Sequence, residues 1–257
     1  MKCLIINGSP SKSYSFGNGT TTSFTAKLTD EVKSSMSKLT AVEFEEIKLV
    51  DVNIPYCKGC YNCFLKGENS CPYSEFVQPI IEKIKEADCL IFTSPVYAMN
   101  VSALVKNFID VTAYNYHRSS FFDKKALVIG STAGAAAKSV CKYMRDVLKY
   151  WGFNSVYSLS VIRMGANDLN DKMRKKCRLS AQKLYKAATS ELRQPSFKRV
   201  FFYQVWRASS INNSGADHDY WEKSGLVKYD YAPIIKLGII KRIFAKAMFN
   251  LLKKAMK

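Results

Sequence analysis

Apolar residues recur in two rhythms along the first 190 positions of the chain. Short continuous apolar runs at 3–7, 89–92 and 126–129 predict buried strands. Residues 42–49 alternate apolar with charged side chains and predict another strand, and 155–162 reads as a fifth. Between these runs the spacing changes to three and four. Phe24, Leu28, Val32 and Met36 share one face of a helix expected over 21–37. Further helices are expected over 75–86, 101–114, 139–150 and 169–189. Strands alternating with helices predict an α/β fold, a doubly wound five-stranded parallel sheet covered on both faces. Ligands in such sheets sit beyond the carboxyl ends of the strands, so the loops after strands 1, 3 and 4 are the expected places for chemistry.

The character changes after Gln194-Pro195. Phe197, Phe201, Phe202, Tyr203 and Trp206 form an aromatic stretch, a polar loop spans 212–217, and 233–257 reads as a basic amphipathic helix. The expected organisation is an α/β domain over 1–192 and a basic, aromatic-rich extension over 193–257. Trp206 and the Tyr220-Trp221 pair fit either a cover over a ligand edge or an interface.

Hydrophobic residues make up 47% and charged residues 23% of 257, enough for a large core and contrary to wholesale disorder. Lys and Arg outnumber Asp and Glu by 39 to 21, a net charge of +18. This excess points to an acidic partner. No nucleic-acid reader module is visible, so nucleic acid is not the expected one. The terminal helix suits either packing on the protein or a partner subunit, or an anionic membrane surface. No apolar run is long enough to span a bilayer and the first residues do not read as a signal peptide, so a cytoplasmic location is expected, peripheral to the membrane at most. With two histidines, His117 and His218, a histidine-based mechanism is not expected.

Residues 7–23, from Asn7-Gly8-Ser9-Pro10 to Thr20-Thr21-Thr22-Ser23, lie between a buried strand and a helix. Small and hydroxylated residues there suit either a phosphate cradle or a polar loop with a helix cap. Neither the ATP-type nor the dinucleotide glycine pattern occurs in this segment. Cys57, Cys60, Cys63 and Cys71 follow the pattern C-x2-C-x2-C-x7-C-P. Four thiols so close in sequence suit a [4Fe–4S] cluster, tetrahedral zinc or redox-active thiols. Cys3, Cys89 and Cys141 sit in apolar settings and are expected in the core, and Cys177 carries no expected role.

The Gly8-Ser9-Pro10 turn, Ser94-Pro95-Val96-Tyr97 and Gly130-Ser131-Thr132-Ala133-Gly134, in that order at the ends of strands 1, 3 and 4, with Lys106-Asn107-Phe108-Ile109-Asp110 in the helix after the second, resemble the flavodoxin-like NAD(P)H-dependent FMN reductases over about residues 1–190. The resemblance implies that Ser9, Ser11, Asn18, Thr20, Thr21 and Thr22 surround the FMN phosphate. It implies that Pro95, Val96, Tyr97, Met99 and Asn100 line the isoalloxazine ring, with Thr132, Ala133 and Gly134 on the other side. The cysteine spacing resembles the iron–sulfur flavoprotein branch of that family, in which a [4Fe–4S] cluster lies at a subunit interface. NAD(P)H as co-substrate, a quinone, flavin or redox-protein acceptor, and a homo-oligomer are implied with it. A non-catalytic electron carrier or membrane-associated redox module is the competing expectation.

Overall fold

The structure is a computed structural model that describes residues 1–10, 14–16, 19–21 and 23–256, with the backbone alone at 14–16 and 19–21. The main sheet has five parallel strands: β1 (Lys2–Asn7), β2 (Glu43–Lys48), β3 (Cys89–Tyr97), β4 (Lys125–Thr132) and β5 (Ser155–Ile162). Their spatial order is β2-β1-β3-β4-β5, so chain order reverses between β1 and β3. Register brings Asn7 opposite Thr93, and Pro95 opposite Ser131. The central strands are apolar on both faces because helices cover both. Helices α1 (Phe24–Ser37) and α5 (Asp171–Ala188) cover Cys3, Ile5, Ile91, Leu127 and Ile129. Helices α2 (Ser74–Glu86), α3 (Ala103–Val111) and α4 (Ala137–Tyr150) cover Leu4, Ile6, Phe92 and Val128. Cys3, Cys89, Cys141 and Cys177 are all buried in these two layers.

Three helices depart most from the sequence expectation. α1 begins at Phe24 rather than at position 21, because Gly19–Thr21 pair antiparallel with Tyr14–Phe16. β-branched threonines suit that extended backbone better than a first helical turn. The helix expected over 101–114 runs only from Ala103 to Val111. Val101 pairs with Val96 in a short antiparallel strand, Asn100–Val101, and the Thr112 hydroxyl donates to the Phe108 carbonyl (2.6 Å) where the helix ends. The terminal helix starts at Ile239, since 233–238 carries the buried Ile235 and Leu237 across the surface and Gly238 caps the helix in extended conformation.

The aromatic stretch forms α6 (Phe197–Asn212), where Ser196 accepts the Arg199 N–H as N-cap. It is followed by α7 (Ala216–Lys223) and α8 (Ile239–Ala255). These elements share an apolar cluster of Val200, Tyr203, Trp221, Tyr231 and Ala245, closed by Phe122 from the α/β unit. Among the described residues no helix is long and apolar enough to cross a membrane.

Gly8 sits where β1 leaves the sheet, its N–H bonded to the Thr93 carbonyl at 3.0 Å. A Cβ there would collide with Val105 Cγ2 and lie 2.7 Å from the Thr93 oxygen. The backbone must yield, because one of the two obstacles is backbone itself. We expect Gly8→Ala to lower stability by about 1–3 kcal/mol in urea unfolding, and an unchanged midpoint would contradict this close approach.

Candidate functional site

The ends of β1, β3 and β4 meet at one edge of the sheet, beside the reversal in strand order. The first loop is fixed from several sides. Asn7 Oδ1 accepts the Ser9 N–H (2.9 Å), while Asn7 Nδ2 donates to Glu46 (2.8 Å). Ser9 and Ser23 hydroxyls lie 3.1 Å apart, which ties the loop to the start of α1. Ser102, the N-cap of α3, donates its hydroxyl to the Gly8 carbonyl (2.6 Å) and its backbone N–H to Ser94 Oγ (2.9 Å). Ser102 thereby holds the first and second loops in one relation. Thr25 and Ser131 hydroxyls, 2.6 Å apart, do the same for α1 and β4.

The second loop is a tight hairpin. Tyr97 pairs with Asn100, and Ala98 and Met99 both have positive φ (46° and 67°), as a two-residue primed turn requires. Pro95 and Val96 are half-buried, while Tyr97, Met99 and Asn100 are exposed along the rim. After β4, Thr132 is half-buried and its Oγ1 accepts the Gly134 N–H (3.2 Å); Ala133 and Gly134 are exposed. Ser9, the hairpin residues Pro95–Asn100 and Thr132–Gly134 are thus brought to one edge. Ser11, Asn18 and Thr22 lie outside the described residues, as do the side chains of Thr20 and Thr21.

The cysteine loop leaves the same side of the sheet and is held at two points. Asn107 of α3 is buried; its Nδ2 donates to the carbonyls of Ile54 (3.0 Å) and Pro55 (3.1 Å), and its Oδ1 accepts the Cys57 N–H (3.0 Å). The second point is Arg118, only 3% exposed. Its Nη2 donates to the carbonyls of Cys63 (2.6 Å) and Phe64 (3.1 Å), its Nη1 to Glu68 (2.6 Å) and its Nε to Asp217 of α7 (2.6 Å). His117 Nδ1 meets the other Asp217 oxygen at 2.7 Å, and its ring stacks on Trp206 at 3.6 Å. Trp221 Nε1 donates to the His117 carbonyl (3.1 Å), and the Tyr220 hydroxyl to that of Ser119 (2.7 Å). The tryptophans and Tyr220 therefore join the extension to the loop after α3. Burial would push the Asp217 carboxyl up, but hydrogen bonds from His117 and Arg118 hold it below the usual aspartate range.

Gly59 (φ 65°) and Tyr61 (φ 59°) turn the chain between successive cysteines. Cys57 and Cys60 are exposed, Cys63 and Cys71 half-buried. Burial first, then the nearby thiols of Cys71, Cys57 and Cys60, push the Cys63 thiol up to about 11, with the Arg118 cation opposing. The four thiols are therefore within electrostatic reach of one another. They are not gathered around one point, since among the described residues no three Cys, His, Asp or Glu side chains are placed to hold a metal ion. The donor set is nonetheless all sulfur, with a buried cation beside it, which fits a negatively charged iron–thiolate centre.

Asn107, Ser102 and Arg118 were not legible as positioning residues. Ser102 ahead of an apolar helix has a capping signal, but Arg118 has none, because its partners lie 50 to 99 positions away.

The family described as NADPH-dependent FMN reductase matches residues 1–167. The chain is 29% identical over 232 residues to an iron-sulfur flavoprotein of Archaeoglobus fulgidus, covering 88% of this chain and all of that one. In fold it is similar to an NAD(P)H:quinone oxidoreductase from Methanothermobacter marburgensis (TM-score 0.54, 21% identity, 76% of this chain and 98% of the other). It is also similar to an FMN-dependent NADH-azoreductase from Bacillus anthracis solved with FMN (TM-score 0.52, 16% identity, 74% and 98%).

Two outcomes are expected from this geometry. In native, metal-free protein near neutral pH, an alkylating reagent should modify Cys57 and Cys60 before Cys63, whose reactivity should climb as pH rises toward about 11. Mass spectrometry of timed samples reads the order, and simultaneous modification of all three would contradict it. Arg118→Ala takes one partner from Asp217, the partner of Glu68 and the donor to two loop carbonyls. It should cost roughly 3 kcal/mol in urea unfolding, whereas a neutral variant would show that the network is incidental.

Proposed function

Since the chain belongs to the NADPH-dependent FMN reductase family, we propose that it is an oxidoreductase binding FMN across the carboxyl ends of β1, β3 and β4, with a [4Fe–4S] cluster on Cys57, Cys60, Cys63 and Cys71. The observation that carries this reading is the meeting of the three loops at the strand-order reversal, with the all-cysteine loop held on the same side. Bound FMN would supply hydride acceptance from NAD(P)H, and a bound cluster single-electron transfer to a quinone, flavin or redox-protein acceptor.

The chain's own residues bind and orient. Ser9, beside the start of α1, offers a hydroxyl donor for the phosphate, and the resemblance adds Ser11, Asn18, Thr20, Thr21 and Thr22 as further donors. The hairpin residues Pro95, Val96, Tyr97, Met99 and Asn100 would hold the isoalloxazine ring. Thr132, Ala133 and Gly134 would hold it as well, and a Cβ on Gly134 would meet nothing within 4 Å, which leaves room there for a ligand. Ser102 fixes the spacing between the phosphate loop and the hairpin. Such chemistry depends on orientation and exclusion of water rather than on a side-chain proton donor. Tyr61, Leu65, Ile162 and Met164 are exposed, and a homo-oligomer would bury apolar surface of this kind.

Titration of the purified chain with FMN should quench flavin fluorescence and shift its visible bands. Ser9→Ala should weaken binding roughly ten-fold through one lost hydrogen bond to a charged group. Steady-state NADPH oxidation with a soluble quinone should follow FMN loading. Absence of FMN binding would overturn the reading, and FMN binding without turnover would favour an electron carrier.

A further inference from the structure

The C-terminal extension carries a surface that the flavin reading does not use. α8 docks on the body through Ala245, which is fully buried, and through Phe249, whose ring lies 4.0 Å from the Arg207 guanidinium. Its opposite side faces solvent. There Ile239, Ile240, Ile243 and Leu251 are 77%, 75%, 64% and 59% exposed. At about 100° per residue these four fall within roughly a third of a turn, an apolar-rich strip that also carries Asn250 and Lys254. Arg242, Lys246 and Lys253 run along one edge of it.

That edge opens into a groove of about 920 Å³ between α6, the 228–237 segment and α8, lined by Arg207, Lys228, Lys236, Arg242, Lys246 and Phe249. Asp230 is the one carboxylate lining it, and Arg207 engages it at 3.4 Å. Among the described residues no carboxylate pairs with Lys228, Lys236, Arg242 or Lys246. From position 231 to 257 the chain has seven Lys or Arg and no Asp or Glu.

We propose that this groove and strip form a docking surface for an anionic phospholipid membrane, with headgroup phosphates in the cation-lined groove and the four aliphatic side chains in the acyl boundary. Charge complementarity selects this occupant. A second copy of the same surface would bring two sets of unpaired cations together, which repel. A nucleic acid would meet the cations but leave the isoleucines without an apolar partner. An anionic bilayer satisfies both halves, since interfacial helices combine apolar insertion with attraction to acidic lipid. The inference does not depend on FMN or on a cluster.

The test is co-sedimentation of the full-length protein with phosphatidylcholine vesicles, with and without phosphatidylglycerol. Binding is expected only with the anionic lipid, and it should weaken as salt rises. Lys236→Gln with Lys246→Gln removes two cations and should reduce partitioning by about 30-fold, at ~1 kcal/mol each. Ile239→Ser with Ile243→Ser should reduce it at least ten-fold with the melting temperature preserved, because both side chains are already in solvent. No sedimentation with anionic vesicles would overturn the proposal, and so would binding that ignores the isoleucine pair. Sedimentation velocity supplies the remaining outcome: an oligomer that the isoleucine variant dissociates, with no vesicle binding, would assign the strip to a subunit interface instead.

Discussion

The buried guanidinium of Arg118 joins three parts of the chain that no sheet hydrogen bond connects. It caps the carbonyls of Cys63 and Phe64, meets Glu68 from the same loop, and reaches Asp217 of the extension. A cation this deep is costly unless its donors are satisfied, so each partner is held as firmly as the arginine holds it. The consequence runs in both directions. The cysteine loop is shaped by an element more than 140 positions further along, and the extension is seated on the α/β unit through the loop it shapes. His117, stacked on Trp206 and bonded to the same carboxylate, closes the network.

The rest of the site follows from the sheet. Parallel order with a reversal between β1 and β3 leaves a crevice at the carboxyl edge, and the small residues there let loops approach one another. Gly8 permits β1 to pass against Val105 and the Thr93 carbonyl. Ser102 then links that turn to the β3 loop. Asn107, five positions on in α3, secures the beginning of the cysteine loop. One short helix therefore holds the loops after β1 and β3 and the start of the cysteine loop in a fixed relation.

Much of this was legible in the sequence where local chemistry decides. Continuous apolar runs such as Leu4–Ile6 and Leu90–Phe92 suit a sheet covered on both faces, and three of the five strands fall on such runs, while β2 and β5 fall on the less continuous segments 42–49 and 155–162. The loops after β1, β3 and β4 were readable because strand ends and small residues coincide there. What escaped was set by distance along the chain. The Arg118 network joins residues between 50 and 99 positions apart. The boundary errors have local causes: the antiparallel Gly19–Thr21 segment displaced the first turn of α1, and buried Ile235 and Leu237 delayed the terminal helix. The outward apolar strip of α8 was hidden because the periodicity of an amphipathic helix does not say which of its faces the body covers.

The measurement that bears most directly on the central claim is the content of iron, acid-labile sulfide and FMN per chain in protein purified without oxygen. We expect about four irons and four sulfides for each chain together with bound flavin, as a [4Fe–4S] centre on four cysteines requires. Flavin without iron or sulfide would contradict the assignment of Cys57, Cys60, Cys63 and Cys71 to a cluster, and would leave a two-electron FMN reductase whose clamped cysteine loop serves another purpose.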